Sequence, residues 1–224
     1  RKLAAALGPA YIRVSGTWRN ATYFQDNDDP PLKTPPDGFN GVLTRAEWKG
    51  VVDFAHAVDA DIVASVATSI GTRNADGVWT PVQAKPWLDY TKQIGGHIAA
   101  IEFMNEPTLL GLGSVPKGYD AAAFGRDAKI FGAFLRRESP ATLYLGPSST
   151  AEGLPLPSSL GGRRLEIVPT DDLMKATGPI FDAFSYHFYS MPSHRGMGEN
   201  GANPDQLLTP EGLDRDMIVY NFYA

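Results

Sequence analysis

Apolar residues gather into five short runs: "YIRVSG" from Tyr11, "DIVASVAT" from Asp61, "HIAAIEFM" from His97, "TLYLGP" from Thr142 and "IFDAFSYHFY" from Ile180. Each is rich in β-branched and aromatic residues and reads as a strand. Between them, apolar positions return every three or four residues, the mark of helices with one buried face. "TRAE" at residues 44–47 is a capping box opening a helix that carries Trp48, Val51, Val52, Ala55 and Val58 on its buried side. Asp120 caps a second helix, in which Phe124, Ala128, Phe131 and Leu135 recur before "RRESP" stops it. Thr209, followed by Pro210 and Glu211, opens a third. Strand and helix alternate at roughly 40-residue intervals, the rhythm of repeating βα units.

Strands that are apolar along most of their length are buried on both faces, which implies a parallel sheet covered by helices. A doubly wound sheet would announce a nucleotide with a glycine-rich turn after its first strand, and "VSGTWRN" at residues 14–20 lacks that fingerprint. A barrel fits better, because the loops that follow strands, residues 17–43 and 105–119, are long and carry Trp, Arg, Asn, Asp and Tyr. In a (β/α)8 barrel such loops build the active face. The expected fold class is therefore α/β, an incomplete (β/α)8 TIM barrel holding roughly strands 2 to 6 of eight; a complete one takes about 250 residues. The chain opens on "RKLAAALG", which reads as the last turns of a helix, and closes on "MIVYNFYA", inside another. Residues 1–224 are read as a single partial catalytic domain truncated at both ends, with the proline-rich "DNDDPPLKTPPDG" from Asp26 as a loop within it.

Composition removes several classes. A net charge of −5, from 20 basic and 25 acidic residues scattered along the chain, leaves no basic stripe for a nucleic acid. No apolar run approaches the roughly 20 residues of a membrane span, and no signal peptide is visible. Without cysteine there is neither a disulfide framework nor a thiolate metal site. Asp26, Asn27, Asp28 and Asp29 lack EF-hand spacing and read as a solvated turn, so no metal or cofactor is expected. "NAT" at residues 20–22 fits a glycosylation acceptor, a triplet frequent by chance, and is read as accidental. His56, on a helix, and His97, opening a strand at its far end, take structural roles.

One stretch carries chemistry. "IEFMNEP", residues 101–107, is a strand that stops on Asn105 and Glu106, with Pro107 blocking any continuation of the ladder. At a barrel mouth this delivers a carboxyl into a partly desolvated site, where its pKa is expected to rise and it can give a proton to a leaving oxygen. The plainer alternative is a loop glutamate capping a backbone amide.

Asn-Glu-Pro ending the strand at His97 resembles the clan of retaining glycoside hydrolases that includes cellulases, β-galactosidases and heparanase. "LGPAYIRVSGTWRNATYF", residues 7–24, resembles the second strand and following loop of glycoside hydrolase family 79, the heparanase and β-glucuronidase family, and "SYHFYS" at residues 185–190 falls where the sixth strand of these enzymes carries His-x-Tyr. The resemblance implies Glu106 as general acid/base, Asn105 as donor to the sugar 2-hydroxyl, Thr17 as a contact or support, Tyr189 bonded to the nucleophilic carboxylate and His187 on the floor of the site. Trp18 and Trp79 follow strands and are candidates to stack on sugar, whereas Trp48 and Trp87 belong to helices and the core. His194 with Arg195, on the mouth side after the last strand, reads equally as a basic pair that could meet an acidic sugar and as part of a mobile exposed loop.

A retaining mechanism needs two carboxyl groups about 5–5.5 Å apart. In the clan the second ends the seventh strand, and here Glu199 lies in a glycine-rich loop while Glu211 opens a helix. The nucleophile is expected outside this chain, which alone should not hydrolyse by the two-carboxylate route. The implied partner is a carbohydrate, a β-glucuronide or a polysaccharide containing glucuronic acid, and the implied location is extracellular or periplasmic. β-Xylosidase, glucanase and galactanase specificities, or a non-catalytic carbohydrate-binding barrel, are the alternatives.

Overall fold

A computed structural model describes residues 2–112, 114–153, 159–160, 163–164, 167–189 and 209–224. The strands are β1 (Ala10–Val14), β2 (Thr22–Gln25), β3 (Gly41–Thr44), β4 (Ala60–Ser65), β5 (Ile98–Glu102), β6 (Leu143–Ser149), the short pair β7 (Ser159–Leu160) and β8 (Arg163–Arg164), and β9 (Ala183–Tyr186). The helices are α1 (Lys2–Ala5), α2 (Arg45–Ala57), α3 (Ala84–Gln93), α4 (Ala121–Glu138), α5 (Thr170–Thr177) and α6 (Pro210–Tyr223). The five predicted runs are the five strands of one parallel sheet, in the order β1-β4-β5-β6-β9. It curls into a half-barrel flanked by helices, consistent with part of a TIM-like barrel. β2 and β3, which pair in parallel beside it, lie in the segment expected to be loop.

Local signals act as expected. Thr44 Oγ1 accepts from Glu47 N while the Glu47 carboxylate accepts from Thr44 N at 2.9 Å, closing the capping box of α2. Asp120 accepts from Ala123 N at 2.9 Å and Thr209 from Gly212 N at 3.3 Å, starting α4 and α6. Each satisfies an amide that the first helical turn leaves unpaired.

The core lies between the sheet and α2, α3 and α4. Trp48 and Trp87, both fully buried, meet edge to face with ring centroids 5.0 Å apart. Trp79, a candidate for sugar stacking, is instead 2% exposed. Its ring packs on Phe103 and Phe131 at 5.6 and 5.5 Å, and its Nε1 donates to Ala67 O. The loop after β4 packs on α4 through Trp79 and Arg73, so burial of a large aromatic surface outweighs exposure at the mouth. His56 and His97 are exposed.

Gly125 sets how closely α4 approaches α5. A Cβ there would lie 2.6 Å from the Ala176 backbone. Gly125→Ala is expected to cost about 1–3 kcal/mol through overpacking, measured by urea unfolding, although alanine is the better helix former.

Because all five strands are parallel, their C-terminal ends share one rim. That rim receives residues 15–21 after β1, 103–109 after β5, 148–153 at the end of β6 and 187–189 after β9. Alternation along β5 sends fully buried Ile101 under the helices and Glu102 to the opposite, concave face.

Candidate active site

The chain leaves β5 at Glu102 and turns sharply. Glu106 has φ 54°, a left-handed conformation that costs a non-glycine residue roughly 1–3 kcal/mol and is held only where surroundings enforce it. The enforcement is visible. Asn20 Nδ2 donates to Asn105 O and Asn20 Oδ1 accepts from Asn105 N, both at 2.9 Å, while Asn20 O accepts from Thr68 N and Ser69 N. One asparagine thus ties together the loops after β1, β4 and β5. At 2% exposure with its amide engaged, Asn20 offers no acceptor for a glycan.

The Glu106 carboxyl reaches the rim 13% exposed. Tyr189 OH donates to its Oε1 at 2.8 Å, and His187 Nδ1 lies 3.0 Å from the same atom. Both contacts fall on Oε1, and among the described residues none falls on Oε2, the oxygen that could carry a proton. Asn105, 4% exposed, accepts from Arg13 Nη2 at 3.0 Å and donates to Thr17 Oγ1 at 3.4 Å. Thr17, Asn20, Asn105 and Glu106 line one small cavity together with Met104, Leu109 and Leu110. Five of the six sequence-derived residues, Thr17, Asn105, Glu106, His187 and Tyr189, are therefore brought together. Trp18 stands apart, 53% exposed beside Gly16, where a flat ring is open to a passing ligand. His194, Arg195 and Glu199 lie outside the described residues. Glu211 is in the first turn of α6, as a helix-start residue.

Three results differ from the expectations. Tyr189, expected on the nucleophilic carboxylate, bonds Glu106 itself. Burial pushes the Glu106 carboxyl up, as anticipated, but donation from His187 and Tyr189 outweighs it, and the pKa is lowered, not raised. The site also contains two residues that the motif reading passed over, Arg13 of β1 and Glu102. Arg13 Nη2 donates to Glu102 Oε2 at 2.6 Å, and its Nε reaches the same oxygen at 3.2 Å. A signal for both existed. A charge inside an otherwise apolar strand has to find a partner, and "YIRVSG" and "HIAAIEFM" carry one of each sign.

Electrostatics follow from this packing. Burial pushes the Glu102 carboxyl up, but His187 and the Arg13 guanidinium overcome it and hold it down at about 2. His187 is lowered by burial and by Arg13, yet hydrogen bonding to Glu102 and Glu106 leaves its pKa raised. Burial and the Glu106 charge push Tyr189 up to about 12, so it stays a neutral donor. Because folded Glu102 binds its proton less readily than the unfolded chain, its contribution is present above about pH 4.5 and is lost as pH falls through 2. With Arg13 partly exposed, we expect about 2–3 kcal/mol at neutral pH from the contacts of Glu102 with His187 and Arg13 together. Urea unfolding between pH 7 and 3 should show this loss in the wild type and not in Glu102→Gln.

Among the described residues no cluster of three His, Cys, Asp or Glu could hold a metal, and no helix is long and apolar enough to cross a membrane. No protein-family model and no curated protein matches the sequence. Among solved structures, the fold is similar to BuGH86, both wild type and a point variant, each in complex with neoagarooctaose. The TM-score is 0.43 and the identity 12%, over 80% of this chain and 33% of theirs. The chain spans about a third of the length of these proteins.

Proposed function

We propose that this chain carries the acid/base half of a retaining glycoside hydrolase, with Glu106 as the proton donor and acceptor. The observation that carries this reading is the placement of Glu106. A carboxylate on a strained, left-handed backbone stands at the strand-end rim of a parallel half-barrel, with Tyr189 and His187 on one oxygen and, among the described residues, no contact on the other. In a protonated Glu106, Oε2–H would give its proton to the glycosidic oxygen as the bond to the sugar breaks. The resulting carboxylate would then take a proton from the water that releases the glycosyl intermediate. The lowered pKa suits the second half of this cycle. For the first half, an anionic nucleophile nearby must raise it, because two close carboxylates disfavour double ionisation. That nucleophile is assigned outside the described residues.

Family 79 and a β-linked glucuronic acid substrate are the finer reading, supported by the resemblance of residues 7–24; an exported location goes with it. Aryl β-glucuronide, β-xyloside and β-glucoside should be compared as substrates of the full-length protein. The expected order puts the glucuronide first by at least tenfold in kcat/KM. Preference for a neutral sugar would move the protein elsewhere in the clan, and binding without turnover of any of the three would favour a carbohydrate-binding barrel.

A further inference from the structure

Two carboxylates flank one imidazole on the rim. His187 Nδ1 lies 3.0 Å from Glu106 Oε1, while Nε2 lies 3.6 Å from Glu102 Oε1, 2.9 Å from Arg13 Nη2 and 3.1 Å from Ser148 Oγ. Ser148, like Glu106, is a non-glycine residue at positive φ, 69°. Backbone strain is therefore stored on both sides of the ring.

Acid/base chemistry at Glu106 makes no direct use of Glu102, yet this carboxylate is 4% exposed and costly to bury. What it does is orient Arg13. Two guanidinium nitrogens converge on Glu102 Oε2, and this orientation aims Nη2 at Asn105 Oδ1 and His187 Nε2. We propose that Glu102 is a positioning residue: by fixing Arg13, it holds His187 in the tautomer whose Nδ1–H donates to Glu106 Oε1, and so directs the catalytic proton to Oε2. The proposal rests on the acid/base reading of Glu106.

The chemistry runs in one direction. A guanidinium only donates, so in the neutral ring an Nε2–H would face another donor, and with Arg13 in place the ring hydrogen sits on Nδ1. If Arg13 swings away, Nε2 can take the hydrogen and face Glu102 Oε1. Nδ1 then presents a lone pair to Glu106 Oε1, and a proton on Oε1, the oxygen also held by Tyr189, relieves the clash. The groups facing the ring are Arg13 from β1, Glu102 from the end of β5, Glu106 from the loop that follows and Ser148 from β6. Tyr189, beyond β9, shares Glu106 Oε1.

Histidine 15N shifts, followed against pH in the full-length protein without substrate, test this. The wild type should show the neutral His187 ring protonated on Nδ1. In Glu102→Gln its pKa should fall by about one unit, through loss of a neighbouring anion, and the Nε2–H form should grow. Arg13→Gln should raise the pKa by a similar amount and also release the tautomer, which keeps the test open if the first variant folds poorly. Backbone amide shifts away from the rim report the state of the fold. An unchanged tautomer and titration of His187 in both folded variants would overturn the proposal. No substrate is involved, so a protein that cleaves no glycoside would refute the acid/base reading without deciding this one.

Discussion

Glu106→Gln in the full-length protein is expected to cut turnover of a glycoside with a poor leaving group by about 10²–10⁴-fold, the usual worth of general acid/base catalysis. An activated aryl glycoside needs no protonation to depart, so its first step should survive. Release of the intermediate, which needs a base, should become slow. The measurable signature is a burst of aryl alcohol matching the enzyme concentration, followed by a slow steady state. Glutamine can still accept from Tyr189 OH and from His187 Nδ1–H through its carbonyl oxygen, so the change removes a titrating proton and leaves the packing of the rim in place. Equal, modest losses on both substrates would point to a structural role for this side chain.

Asp127→Ala is expected to give the largest loss of stability. Asp127 is fully buried on α4, and Arg73, 2% exposed, meets its Oδ2 at 2.5 Å. Tyr119 OH and Arg126 Nε also donate to this carboxylate, at 2.9 and 2.8 Å. Arg73 in turn donates to Thr68 O and Gly77 O and stacks on the Tyr119 ring at 4.5 Å. This network fastens the loop after β4 to α4. Removing the carboxylate strands a buried cation, at a cost of about 3–5 kcal/mol, equivalent to a fall of roughly 10 °C or more in Tm. Lys49 and Asp53 on α2 make a contact of nearly equal length, 2.7 Å, but each is about half exposed. Asp53→Ala should change stability by less than about 0.5 kcal/mol. Burial, not distance, separates the two cases, and thermal unfolding of both variants would show it.

The sheet was legible because its strands carry their signal in composition alone: the central β4, β5 and β6 are mostly buried, while the edge strands β1 and β9, expected to be buried on both faces, stay partly open. The helix caps were legible because Thr44, Asp120 and Thr209 act on amides within three residues of themselves. β2 and β3 were hidden. Each has four residues, and their pairing, with Thr22 opposite Gly41, is set by tertiary contact across a proline-rich segment without strand periodicity of its own. In the site, Glu106 and Asn105 could be found because a motif and a strand end coincide. Glu102 and Arg13 could not be paired from sequence, since 89 residues separate them and only strand order decides that β1 and β5 contribute to one concave face. The direction of the Glu106 pKa failed for a related reason. Desolvation follows from a strand end and can be anticipated, whereas two donors arriving from beyond β9 depend on how far the sheet curls.

The central claim is that the Glu106 carboxyl is the proton-transferring group of a retaining glycosidase. The most direct test is Glu106→Ala in the full-length protein, supplied with an activated aryl glycoside and azide. Azide needs no general base, so it should accelerate release of the intermediate and yield a glycosyl azide with the configuration of the substrate. A glycosyl azide of inverted configuration would make Glu106 the nucleophile, and hydrolysis unaffected by the substitution would remove it from the chemistry altogether.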